Sequence, residues 1–160
     1  MALLPLTLIP SPILRQKTKP VDLAVLETKD FQVFCDDLIE TMFEKDGIGL
    51  AAPQVGQSIS VCVVTHVDGP VIMVNPKITK HSFRKQVMEE GCLSIPGVFG
   101  TVRRPKRVAV TYTDRFGKEQ SVDAQGLFAR VIQHEIDHLN GILFTDMVIT
   151  YTHGERPAKS

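Results

Sequence analysis

No apolar run in the 160-residue chain approaches the ~18 residues that a membrane-spanning helix requires. The opening MALLPLTLIPSPILRQK is apolar, but it has no positive charge before Leu3, and Pro5, Pro10 and Pro12 interrupt it, so it does not read as a secretory leader. Neither sign of charge is in surplus: 18 Lys and Arg balance 18 Asp and Glu, which argues against a protein whose main task is neutralising the phosphates of DNA or another polyanion. Cysteine is scarce. Cys35, Cys62 and Cys92 form an odd set with no C-x-x-C pair, which is not a disulfide framework and suits a reducing compartment. There is no repeat, low-complexity tract or long linker. The expectation is a soluble, cytoplasmic protein with no membrane association.

What is present is an ordinary globular composition, 43% hydrophobic and 22% charged. A chain of this length buries about 70% of its unfolded surface without staples, and residues 1–160 are expected to form a single domain. Residues 1–26 look irregular, with Pro12 placed to start a short helical turn and Pro20 to stop it. Phe31, Phe34, Leu38, Ile39, Met42 and Phe43 recur at the spacing of one helical face, with Thr28 or Asp30 as cap and Gly47 after the end. The uncharged segment GIGLAAPQVG (47–56) follows. SVCVVTH (60–66) and VIMVN (71–75), separated by Asp68-Gly69-Pro70, read as a hairpin. A strand is expected before Glu89. RVAVTYTD (107–114) alternates, Asp114 to Gly117 make a turn, and KEQSVDA returns. Leu127, Val131, Ile132, Ile136 and Leu139 mark a last helix closed by Asn140-Gly141. Helix, antiparallel strands, helix is an α+β order: antiparallel sheets packed around a C-terminal helix, with an amphipathic helix near the N-terminus. Cys35 and Cys62 fall in the helix and strand patterns and read as small buried apolar residues.

The strongest chemical signal is QHEIDH (133–138). His134 and His138 stand at i and i+4, about 40° apart on one helix face, close enough for two imidazoles to share a metal ion. Glu135 sits beside that face, where such sites place a general base. A catalytic site of this kind needs a third ligand and an open position. Downstream of His138, only Asp146, His153 and Glu155 offer one, without the usual extended motif, so the third ligand is sought upstream. EGCLSIPG (90–97) supplies Cys92, with Gly91 allowing close backbone approach and Pro96 expected to end the strand. Taken alone, Cys92 reads equally as ligand, buried small residue or lone nucleophile.

Together, GIGLAAPQ (47–54), EGCLS (90–94) and QHEIDH (133–138) resemble, in order, content and approximate spacing, the three motifs of peptide deformylases. The resemblance runs from the N-terminal Leu-Ile-Pro region to about Asp146. It implies a metal-dependent hydrolase that removes the N-formyl group from the formyl-methionine of nascent polypeptides and releases formate. Cys92, His134 and His138 would be the metal ligands, with Fe(II) the usual metal of the family and zinc, nickel or cobalt as substitutes. Glu135 would be the general base, and the Gln54 amide and the Leu93 backbone N–H would donate to the formyl oxygen. Ile48, Gly49 and Gly91 match positions that pair with the substrate backbone. Met88, Leu127 and Val131 would line an apolar pocket for the methionine side chain. Arg130, one turn before His134, would sit at the pocket rim with its charge in solvent. Glu90 and Arg104 would form an ion pair that fixes EGCLS, while Asp137 reads either as an indirect contributor behind the imidazoles or as a helix N-cap or surface residue. A monomer is expected, with transient ribosome contact through the basic stretch Arg103, Arg104, Lys106 and Arg107.

The chain departs from the family pattern at two places. TYTHGERPAKS (150–160) lacks the periodicity of the basic C-terminal helix that many bacterial members carry, and Phe99 replaces a basic residue near the substrate entrance. The competing readings are an H-E-x-x-H metallopeptidase, a noncatalytic metal-binding domain and a cysteine hydrolase built on Cys92 and His134.

Overall fold

The computed structural model describes residues 2–158. Helix α1 (Lys29–Glu44) begins where the Thr28 hydroxyl accepts from the Phe31 N–H at 3.2 Å, so of the two cap candidates Thr28 is the one used. Strands β1 (Gly49–Ala51), β2 (Val61–His66), β3 (Gly69–His81), β6 (Arg107–Thr113) and β7 (Glu119–Gln125) form one antiparallel sheet in the order β1-β2-β3-β6-β7. Strands β4 (Lys85–Cys92), β5 (Ile95–Pro105) and β8 (Val148–His153) form a second, in that order. Helix α2 (Gly126–Leu139) follows β7 directly. The α+β architecture expected from the sequence is the one observed.

Strand alternation divides the core into two faces. On β2, Val61 and Val63 pack with Phe31, Cys35, Leu38 and Met42 of α1. Their neighbours Cys62 and Val64 pack with Ala129, Ile132 and Ile136 of α2. The larger sheet is therefore covered on both faces, which is why VCVV reads as an unbroken apolar run rather than an alternating one. Cys35 and Cys62 are fully buried, in the packing role expected of them. A third cluster of Leu14, Ile95, Val102, Leu143 and Phe144 sits under the smaller sheet. Helix α2 runs between the sheets and is buried without a break from Ala129 to Ile136.

Several local expectations change. The β2–β3 turn is Val67-Asp68, and Gly69 and Pro70 already belong to β3, facing His66 and Thr65. Pro96 does not end a strand but sits near the start of β5, because the reversal after Cys92 is made by Leu93-Ser94 and Ile95 pairs back to Cys92. A second short helical turn, Leu23–Glu27, precedes α1. Phe43 is 49% exposed and Leu127 is 54% exposed, so neither belongs to its helix's buried stripe. The C-terminal TYTH is strand, its edge bonded to β5. Among the described residues no helix is long and apolar enough to cross a membrane.

The packing of α1 rests on few side chains, of which Leu38 is wholly buried. Leu38→Ala is expected to cost about 2–5 kcal/mol, the range for a buried leucine whose cavity cannot collapse. Urea unfolding followed by circular dichroism measures it, and a cost below ~1 kcal/mol would contradict this packing.

Candidate active site

Side chains of α2 bond to the β4–β5 hairpin. Their contact brings Cys92 to His134 and His138, with one ligand atom from each lying within 4.8 Å of the others. Cys92 Sγ is 3.3 Å from His138 Nε2. Both histidines are buried. Burial, helped by positive charge on His134 and Arg104, pushes His138 well below its ordinary pKa, which keeps it neutral. Burial also opposes charge on His134, yet its hydrogen bonds to Cys92 and Glu90 outweigh that and raise its pKa. The downstream candidates lie elsewhere: Asp146 pairs with Arg15 at 2.7 Å and the His153 ring stacks edge-on against Phe99.

Glu90 organises this cluster from behind. Its Oε1 lies 2.9 Å from His134 Nδ1 and accepts from Arg104 Nη2 at 3.0 Å. Its Oε2 accepts from Arg104 Nε at 2.6 Å and from Arg130 Nη1 at 2.5 Å. Burial alone would raise the Glu90 carboxyl, but the hydrogen bonds from His134 and Arg104 outweigh it and hold the group well below the ordinary carboxylate range. The Glu90–Arg104 pair expected from the sequence is thus present, with two further members. Asp137 accepts from Arg104 Nη1 at 2.7 Å and is not a free helix-surface charge. Arg130 departs most from expectation. It borders the cavity described next, but only 5% of it is exposed, and its guanidinium turns inward to Glu90 and to the carbonyls of Gln86 and Val102.

In front of the cluster lies an open cavity of about 500 Å³. Ile48, Gly49, Gln54, Gly91, Leu93, Leu127, Val131 and Glu135 all line it, whereas Met88 does not. Met88 is half-buried and pairs with Val102, and its neighbour Glu89 faces the cavity instead. The cavity lies between β1 and β4, each an edge strand of its own sheet. Gly49 leaves room for the base: a Cβ there would come within 2.5 Å of Glu135 Oε1 and 2.8 Å of Val131 Cγ1. At Gly91 a Cβ would collide with the Phe99 ring, which packs across the strand. The carbonyl of Ile48 accepts from the Thr65 N–H at 2.9 Å, which anchors this segment to β2.

The Gln54 amide is oriented by its surroundings. Its Oε1 accepts from the Ala51 N–H at 2.9 Å, so Nε2 is turned to Ser94 Oγ at 3.2 Å and Cys92 Sγ at 3.5 Å. Glu135 is buried with Oε2 lacking any hydrogen-bond partner. Burial raises its carboxyl to about 7, a value suited to accepting and returning a proton near neutral pH. Sequence reasoning missed Ser94, which is wholly buried under Gln54, and the inward role of Arg130. A signal for Arg130 existed: it shares the i, i+4, i+7 stripe of α2 with His134 and Asp137.

A family model described as polypeptide deformylase matches residues 3–153. The peptide deformylase of Rhizobium meliloti (strain 1021) is 45% identical over 153 residues, covering 92% of this chain and 86% of the relative. The crystal structure of peptide deformylase from Thermotoga maritima superposes with a TM-score of 0.88 at 38% identity, covering 92% of this chain and 99% of that one. A class I type b peptide deformylase from Acinetobacter baumannii, with Met-Ala-Ser bound, gives a TM-score of 0.88 at 36% identity over 92% and 99% of the two chains.

Glu90→Gln keeps the side-chain shape but leaves two buried guanidiniums facing a neutral amide. The expected loss is about 3–5 kcal/mol in denaturant unfolding. The ordinary Glu value is 4.5, and the folded value lies below it. The carboxylate's stabilisation is therefore complete above that value and is lost as the pH falls through the folded one. Wild-type protein should lose more stability than Glu90→Gln between about pH 5 and pH 3. Equal stabilities at neutral pH would show that the ion pairs contribute nothing.

Proposed function

The chain belongs to the polypeptide deformylase family, enzymes that remove the N-formyl group from nascent peptides, and we propose that Cys92, His134, His138, Glu135, Gln54 and Leu93 carry that reaction here. The observation that bears most weight is convergence. One cavity presents a buried carboxylate with an unpartnered oxygen, an oriented amide N–H, and the Cys92 thiol and His134 imidazole of the cluster that His138 completes from beneath.

The residues fit a divalent metal. A thiol and two imidazoles form a donor set that first-row divalent ions accept. Burial disfavours the charged form of His138, and His134 has its Nδ1 engaged by Glu90, which leaves Nε2 for coordination. We take Fe(II) as the native metal, with zinc, nickel or cobalt as substitutes. When bound, the metal supplies a Lewis acid that polarises the formyl oxygen and acidifies a neighbouring water. Glu135 removes a proton from the attacking water with its free oxygen and delivers it to the departing amine. Gln54 Nε2 and the Leu93 N–H donate to the formyl oxygen as negative charge grows there. Ser94 and Ala51 hold the Gln54 amide in its donating orientation, so the donor needs no reorganisation during the reaction.

Binding follows from the two edge strands. An extended peptide entering between β1 and β4 finds the backbones of Ile48, Gly49 and Gly91, so recognition runs through main-chain hydrogen bonds and tolerates varied sequence beyond the first residue. Leu127 and Val131 offer the apolar wall for the methionine side chain. Met88, outside the cavity lining, is expected to act on that wall only through packing. The metallopeptidase reading has no support from position, since the third ligand candidate comes from upstream on β4.

We further propose that the enzyme acts as a cytoplasmic monomer on chains leaving the ribosome. The basic stretch supports this in altered form. Arg104 is buried with Glu90, but Arg103, Lys106 and Arg107 are exposed. They are joined by exposed Lys80, Arg84 and Lys85 through the pairing of β4 with β5 and the bonds from Lys106 N–H to Arg84 O and from Ser82 N–H to Arg107 O.

Protein purified without oxygen is expected to release formate from formyl-Met-Ala-Ser. Glu135→Ala with its metal retained should lose about 10²–10⁴-fold in kcat, and Gln54→Ala about 10²–10³-fold. Formate release that survives Glu135→Ala would remove the base from the mechanism. Ribosome association should weaken steeply with salt, and an affinity indifferent to salt would exclude the basic surface as the contact.

A further inference from the structure

We infer that Arg130 is a positioning residue that acts on His134 through Glu90, an inference that rests on the assignment of His134 as a metal ligand. Arg130 and His134 stand one turn apart on α2, and the Glu90 carboxylate spans the gap, with Oε2 on Arg130 Nη1 and Oε1 on His134 Nδ1. A carboxylate held at both oxygens cannot rotate away from the imidazole without breaking a buried, charge-assisted bond.

Arg104 also bonds both oxygens of Glu90, but it carries a second carboxylate as well. Its Nε and Nη2 go to Glu90 while its Nη1 goes to Asp137 at 2.7 Å. Two guanidiniums, Arg104 and Arg130, face two carboxylates, Glu90 and Asp137. Without Arg130, two carboxylates compete for one guanidinium, and the pull on Arg104 toward Asp137 draws Glu90 off Nδ1.

Arg130 also fixes where Glu90 is. Its second arm donates to Gln86 O at 2.7 Å, and Nη1 also donates to Val102 O at 3.0 Å. One side chain on α2 thus clamps β4 and β5 at the register that carries Glu90 and, two residues on, Cys92. A lysine could supply the charge to Oε2 but could not form the same planar fork to both carbonyls. The part of Arg130 that acts on His134 is therefore separable from the part that ties the strands.

The test uses the 160-residue protein in five forms: wild type, Glu90→Gln, Arg130→Met, Arg130→Lys and Glu90→Gln combined with Arg130→Met. The combined variant removes one charge of each sign and leaves the net charge of the network unchanged, so it provides a folded comparison if Arg130→Met alone unfolds. In metal-free protein the His134 Nδ1–H proton is followed by NMR after ¹⁵N-histidine labelling. It is expected to be protected from exchange in wild type and Arg130→Lys and to be lost in Arg130→Met. Because no metal is involved, this readout fails separately from the ligand assignment. Cobalt affinity by chelator competition should fall about 10–100-fold in Arg130→Met and recover largely in Arg130→Lys. In the Glu90→Gln background the same change should have no further effect. A protected Nδ1–H in Arg130→Met, or additive losses from Glu90→Gln and Arg130→Met, would overturn the inference.

Discussion

A carboxylate taken out of water must be met by charge and hydrogen bonds, or it forces the surrounding structure to give way. Glu90 is that group here. It sits on β4, and its partners come from β5 (Arg104) and from two successive turns of α2 (Arg130 and His134). Satisfying it fixes the angle between the small sheet and the helix. Since Cys92 lies two residues further along the same strand, satisfying Glu90 also sets where the thiol meets the imidazoles. The rest of the site inherits its precision from this one buried anion. The network is costly to assemble and weak as a source of stability compared with apolar packing, so what it contributes here is geometry more than folding energy.

The same tension runs through the rest of the cavity. Its walls are unpaired strand edges, which proteins ordinarily cover or blunt because they invite pairing with other chains. Here β1 is only three residues long, and β4 carries Gly91 where Phe99 crosses it. Short length and a covering ring limit unwanted association while leaving backbone for an extended ligand. Gly49 serves a different end. The volume a side chain would take is occupied by Glu135 and Val131, so the base can approach the edge strand where the peptide would lie. Around Glu135 the apolar packing of α2 raises its proton affinity, and no neighbouring donor satisfies its second oxygen. Acid–base capacity in this site is thus a consequence of how deeply the helix is buried.

Much of this was legible in the residue pattern, and the exceptions share a cause. The periods of α1, β6, β7 and α2 predicted the elements, because one apolar face repeated at 3.6 or 2 residues marks what must be buried. His134 and His138 needed only helical spacing. The errors arose where the side a residue faces depends on a partner distant in sequence. Arg103 and Arg104 are adjacent and chemically alike, yet one is exposed and the other buried against Glu90. Strand parity separates them, but only the register of β5 on β4 says which parity faces α2. Met88 was misplaced for the same reason. Pro96 looked like a strand terminator because nothing local announced the tight reversal at Leu93-Ser94.

By itself, then, the sequence determined the element types, the α+β class and the identity of the groups able to do chemistry. Those properties follow from local periodicity and from the functional groups that side chains carry, neither of which requires knowledge of distant partners. Only the tertiary structure decided that the Cys92 thiol comes within reach of both imidazoles, that Gln54 is turned by Ala51 and Ser94, and that Arg130 points inward. Each of these is a matter of where a buried polar group finds its partner. Partners of that kind are chosen by the packing of sheet against helix, and they cannot be read from spacing along the chain.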